Sequence, residues 1–147
     1  IGFFDATIEQ IVALAVLMPI VASMGGNAGT QSLTVTVRAL ATKELTGSNA
    51  YRVISKEVIV GCFNGVIFAV LSGLVAWVWF ESVELGAVIA AAMVINMIVA
   101  GFSGAAIPIV LDRMGIDPAI ASTVVLTTMT DVIGFFAFLS LAALVLI

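Results

Sequence analysis

The sequence predicts an all-α integral membrane protein, a helical bundle of four spans of which the first is locally broken or kinked. Three observations carry that prediction. Charged residues are only 10% of the 147 and hydrophobic ones 63%, against about 25% charged in a soluble domain whose surface faces water. The mean hydropathy is +1.30. The apolar residues also gather into runs close to the roughly 20 that a helix needs to cross a bilayer.

Taken in order, Ala6–Met24 is apolar, the polar run Ser23–Ser32 follows, and Leu33–Ala41 resumes apolar helix. Residues 6–41 therefore read as one long segment, interrupted at the glycines. Val58–Phe80 is an uninterrupted apolar run inside a second span expected at 51–80, and Leu85–Leu111 fills a third at 84–112. Pro108 predicts a kink there, because proline removes a helix hydrogen bond. The fourth span, 117–147, opens on Asp117-Pro118, an N-cap followed by proline at the first helical position, and holds one charge, Asp131. Gly61, Gly65, Ala69 and Gly73 recur every four residues and predict a smooth face for close helix contact. Trp77, Trp79 and Phe80 end the second span as an interfacial aromatic belt does.

The links separate the charges. Arg38, Lys43, Arg52 and Lys56 lie between the first and second apolar runs and Arg113 between the third and fourth, whereas Glu81 and Glu84 stand alone between the second and third. By the positive-inside rule the links at 42–50 and 113–116 are cytoplasmic. The expected setting is a multi-pass protein of the inner (cytoplasmic) membrane, with lipid bilayer as its main partner. Both chain ends then lie outside, which creates the expectation of one further span upstream.

Several functions are excluded early. Histidine is absent and Cys62 is the only cysteine, so His- or Cys-rich metal sites, Ser-His-Asp triads and internal disulfides are all ruled out. With no nucleophile–base pair, an enzyme is not expected and no catalytic residue or bound cofactor is assigned. No basic cluster points to nucleic acid. Any ion chemistry must use oxygen ligands.

Asp131 is the main candidate for such chemistry. It is the thirteenth residue of the 29-residue stretch Ala119–Ile147, about 18 Å along a helix rising 1.5 Å per residue and so near the bilayer centre. An unpaired carboxylate at that depth costs at least ~2.5 kcal/mol. No Lys or Arg lies at comparable depth in any span, so the acid is expected to face protein or water and to meet a cation. Thr127, Thr128 and Gly134 share its helix face by their spacing. They suggest a hydrated stripe, although threonine hydroxyls can equally bond back to their own helix. In the run Ser23-Met-Gly-Gly-Asn-Ala-Gly-Thr-Gln-Ser32, the expected break would free carbonyls to line a cavity. Glu57, after Lys56, is either half of a local ion pair or a weak cation site. Asn64 and Asn96 read as interhelical hydrogen-bond groups.

Pro19, Met24-Gly-Gly-Asn-Ala-Gly-Thr-Gln-Ser32, Arg38-Ala-Leu-Ala-Thr42, Lys56-Glu57, Asp117-Pro118 and Thr130-Asp131 together resemble, in order and spacing, the membrane domain of MgtE-type magnesium transporters. The resemblance covers essentially the whole chain. It implies the second to fifth spans of a five-span subunit, preceded by cytoplasmic domains, in a homodimer with the pore on its axis. It implies a transported Mg2+ held at the midplane by paired Asp131 carboxylates with the Thr127 backbone carbonyl. Asn27 would line the pore, and Glu57 would belong to a cytoplasmic-side site. The lining expected around these comprises Gly25, Gly26, Thr30 and Thr34 on the first segment and Thr123, Thr128 and Gly134 on the last. Magnesium fits an oxygen-only donor set and keeps several waters, and manganese, cobalt and calcium share that chemistry. Two other readings stay open on the residues alone: a secondary transporter coupling a divalent cation to Na+ or H+, and a non-conducting membrane assembly subunit.

Overall fold

The computed structural model describes residues 2–46 and 48–146. Ile1, Gly47 in the first basic link and Ile147 at the expected end of the last span lie outside the described residues. A 3₁₀ turn, Gly2–Phe4, and a short helix α1, Asp5–Gln10, precede four long helices. These are α2 (Ala13–Ala41), α3 (Ala50–Phe80), α4 (Val83–Arg113) and α5 (Pro118–Val145). All four are long and apolar enough to cross a membrane. At 1.5 Å per residue they exceed the roughly 30 Å hydrocarbon core, so their ends reach the headgroup layer.

The first expectation to be corrected concerns α2. The helix is continuous through Ser23–Ser32 and also past Pro19. The interruption falls upstream, at Ile11–Val12. Glycine, Asn and Thr are poor helix formers in water, but here the alternative to helix is worse. With no solvent in the bilayer core, a broken segment would strand its own N–H and C=O groups. Within this helix the threonine hydroxyls are taken up locally: Thr30 Oγ1 donates to Gly26 O, Thr34 Oγ1 to Thr30 O and Thr36 Oγ1 to Ser32 O, each at 2.8 Å. In α4 the helix likewise runs on through the buried Pro108 to Arg113.

Helix α4 is the centre of the bundle. It packs against α2, α3 and α5, while α2 also packs on α5, α2 and α3 barely touch, and among the described residues α3 does not reach α5. Its buried residues, from Leu85 and Val88 through Asn96 to Ile109, therefore face neighbours on three sides. Lipid tails are as apolar as Leu, so helix association depends on close van der Waals fit rather than on burial from water. The predicted small-residue stripe supplies that fit: Gly61, Gly65 and Ala69 are buried, and a Cβ added at Gly65 would lie 3.1 Å from the Cα of Val94 on α4.

The turns follow from local chemistry. After α4, Gly115 takes φ 78°, Gly115 N donates to Asp112 O (3.1 Å) and Ile116 N to Leu111 O (2.9 Å), a Schellman ending. Asp117 Oδ1 then accepts from Ala119 N at 3.0 Å and Pro118 opens α5, as the sequence indicates. At the other end of the bundle, Ser82 Oγ accepts from Leu85 N at 3.1 Å and caps α4 after a two-residue connection, Glu81–Ser82.

Candidate functional site

Asp131 is the fourteenth of the 28 residues of α5, so the helix places it at mid-depth. Its side chain is exposed, as are those of Thr123, Val124 and Thr128 below it. On α2 the exposed positions Ser23, Asn27, Thr30, Thr34 and Arg38 recur at spacings of three and four, which is one helix face. It lies opposite the buried positions Val21, Gly25, Gly29, Ser32 and Thr36.

Close contacts set these two helices in register. An added Cβ at Gly29 would lie 2.9 Å from a methyl of Leu126. The side chain of Asn96 on α4 reaches both Gly25 and Gly134, and a Cβ at Gly134 would lie 2.8 Å from its Nδ2. Residues 25–29 of α2 therefore stand beside residues 126–134 of α5, which puts Asn27 at the depth of Asp131.

The structure places the sequence candidates as follows. Asn27, Thr30, Thr34, Thr123, Thr128 and Asp131 are exposed, and Thr127 and Gly26 are half-buried. Gly26 is open, with nothing within 4 Å of an added Cβ. Gly25 and Gly134, expected along the lining, are instead turned into the bundle against Asn96, because only a residue without Cβ leaves room for that amide. The threonine hydroxyls bond to their own helix: Thr127 Oγ1 donates to Thr123 O (2.9 Å) and Thr128 Oγ1 to Val124 O (2.8 Å). Thr127 O accepts from Thr130 Oγ1 at 3.2 Å.

Glu57 is not beside Asp131. It sits on α3, which makes no contact with α5 among the described residues. The side chain is buried and accepts from Ser32 Oγ at 2.8 Å, so its hydrogen-bonded partner is across the helix interface rather than the neighbouring Lys56. Around it a cleft of about 270 Å³ opens between α2 and α3, lined by Gln31, Ser32, Lys56, Glu57 and Asn64 over the floor of α4. Ser32 and Gln31 were not singled out in the sequence as members of this group. The signal for Ser32 was present: it falls on the series Gly25, Gly29, Ser32, Thr36 of small and hydroxylated residues that marks the inward face. Among the described residues no group of three His, Cys, Asp or Glu gathers that could hold a metal ion.

Four membrane-length helices, one of them carrying a carboxylate midway along a helix face that also bears hydroxyl groups, define a polytopic membrane protein. Comparison with known proteins gives the family. The MgtE family, described as a divalent cation transporter, matches residues 18–141, and the chain belongs to it. Similar proteins include the magnesium transporter MgtE of Bacillus subtilis, 37% identical over 142 residues, 97% of this chain and 32% of that protein. The magnesium transporter MgtE of Enterococcus faecalis is 35% identical over 144 residues, covering 98% of this chain and 32% of that protein. That of Thermus thermophilus is 37% identical over 144 residues, covering 97% and 32%. The chain thus spans about a third of the length of the curated relatives it matches. The family is one of transporters rather than enzymes.

Proposed function

We propose that this chain forms half of a pore that conducts magnesium ions across the cytoplasmic membrane, two copies pairing so that their Asp131 carboxylates face each other at the midplane. The observation that carries this reading is an exposed carboxylate at the centre of a membrane-length helix. Left against lipid it would cost at least ~2.5 kcal/mol. A second copy related by a two-fold axis turns that liability into a site, since one acid per chain supplies the two negative charges that balance a divalent ion.

The neighbouring groups suit a hydrated ion. Asn27 and Thr30 on α2 and Thr123, Thr128 and the Thr127 carbonyl on α5 are oxygen-bearing groups that can hydrogen-bond coordinated water, and Thr34 and Gly26 extend the polar face of α2. Magnesium dehydrates reluctantly, so such a lining can hold it through its water shell. Helices α2 and α5 would then line the pore while α3 faces lipid, in keeping with the exposed Phe63, Ile67, Leu71 and Val78 on its outer side. With the basic links at 42–50 and 113–116 inside, the Glu57 cleft opens toward the cytoplasmic half and would hold cations leaving the pore. Moving two charges through 100 mV is worth about 4.6 kcal/mol, enough to drive uptake without a coupling ion.

The test is magnesium uptake by the full-length protein in liposomes under an imposed potential. Uptake without any sodium or proton gradient, lost in Asp131→Asn, supports the proposal. Strict dependence on a counter-ion gradient would favour coupled transport, and uptake that survives Asp131→Asn would remove the site from the pathway.

A further inference from the structure

Asn96 lies at the depth of Asp131 but takes no part in the proposed lining. It is fully buried on α4. Its Nδ2 donates to the backbone oxygen of Val21 on α2 at 2.9 Å, one helical turn before Gly25. Its Oδ1 is buried and has no hydrogen-bond partner among the described residues. An amide with an unpaired buried oxygen is a poor choice for stability alone, since an apolar side chain of that size would carry no such penalty.

The surroundings show what the side chain does instead. It is wedged between two helices, each of which has a glycine where it passes. A Cβ at Gly25 would collide with the amide group, and one at Gly134 would lie 2.8 Å from Nδ2. Those glycines are two residues from Asn27 and three from Asp131. One side chain from the central helix therefore sets the positions of both helices that carry the polar face.

We propose that Asn96 is a positioning residue for the cation site. It fixes the spacing of α2 from α5 and anchors the backbone of α2 at Val21, and so sets how far Asn27 stands from Asp131. The proposal rests on the reading of Asp131 as the cation site. A site that recognises an ion through its water shell depends on such spacing, because a fixed separation accepts one hydrated radius better than others.

The test uses the full-length protein in liposomes, comparing Asn96→Ala, Gly134→Ala and the double variant. Each is measured for the magnesium concentration giving half-maximal uptake, for the ratio of magnesium to calcium uptake, and for thermal unfolding. Asn96→Ala is expected to raise the half-maximal concentration about 10- to 100-fold, as loss of an outer-shell support commonly does, and to lower the ion preference while unfolding near the wild-type temperature. Gly134→Ala is expected to do the same by pushing α5 outward. The double variant should recover toward wild type relative to Gly134→Ala, because the added methyl enters the space the amide leaves. Recovery of folding as well as uptake in the double variant supports the proposal equally. Wild-type half-saturation and ion preference in Asn96→Ala, a double variant no better than Gly134→Ala, or unfolding of all three would overturn it. Asp131→Asn run alongside separates the two readings. If it still conducts, the cation site itself fails; if it is dead while the Asn96 variants behave as wild type, only the positioning role fails.

Discussion

The two flanks of α2 place a carboxylate in opposite circumstances. On the α5 side, Asp131 is exposed midway along its helix at the level of Asn27, and no basic side chain lies at that level. On the α3 side, Glu57 is buried and tied to Ser32 by a 2.8 Å hydrogen bond within a lined cleft. The same chemical group thus has a hydrogen-bonded partner on a neighbouring helix in one place and, among the described residues, none in the other. Helix α4 creates the difference. Gly101 lets the backbone of α3 at Glu57 come close, and Gly104 does the same for Gly29 and Ser32 of α2. These contacts seat α2 and α3 each closely on α4, with Glu57 enclosed where the three meet, while among the described residues no neighbour covers Asp131 on the outer face of α5.

The largest effect expected from breaking this contrast is at Asp131. Replacing it with Asn should reduce magnesium uptake in liposomes to the level of protein-free vesicles while the protein still unfolds near the wild-type temperature. Gly104→Val strikes the support of both flanks. A Cβ there would lie 2.6 Å from Gly29 O and 2.7 Å from Ser32 Cβ, so overpacking should destabilise by about 1–3 kcal/mol, read as a lowered unfolding temperature in detergent.

Ser32→Ala probes only the Glu57 flank. It removes the hydroxyl that donates to Glu57 and should cost about 1–2 kcal/mol, with uptake altered less than in Asp131→Asn. If Ser32→Ala proved as damaging to uptake as Asp131→Asn, the two flanks would have to act as one unit. Smallest of all should be Thr36→Val. Its hydroxyl bonds to Ser32 O on its own helix at 2.8 Å, and a nearly isosteric methyl should change stability by under ~1 kcal/mol.

Much of the fold was legible because apolar run length and charge are local properties. The run Val58–Phe80, the Asp117-Pro118 cap and the four-residue repeat of Gly61, Gly65, Ala69 and Gly73 all state their structural roles without reference to the rest of the chain, and the place of Asp131 midway along the last apolar run is equally local. The glycine-rich run at 25–29 misled because its propensity in water points to a break. What the structure adds is the partners waiting for its glycines on the inward face of a continuous helix, Asn96 and Leu126. Those partners come from positions 96 and 126, far along the chain, and no spacing rule connects them.

The sequence by itself therefore determined the membrane class, the number of long helices, and the place of Asp131 midway along the last of them, because each depends only on how many apolar residues follow one another. Only the tertiary structure decided that α4 is the centre, that Glu57 turns inward to Ser32 and that Gly25 and Gly134 serve Asn96 rather than the exposed face. It also decided that Asp131 looks out of the bundle at the level of Asn27. Those facts depend on which small residues meet across helices, and in a bilayer it is close fit between particular backbones, not hydrophobicity, that selects the neighbours.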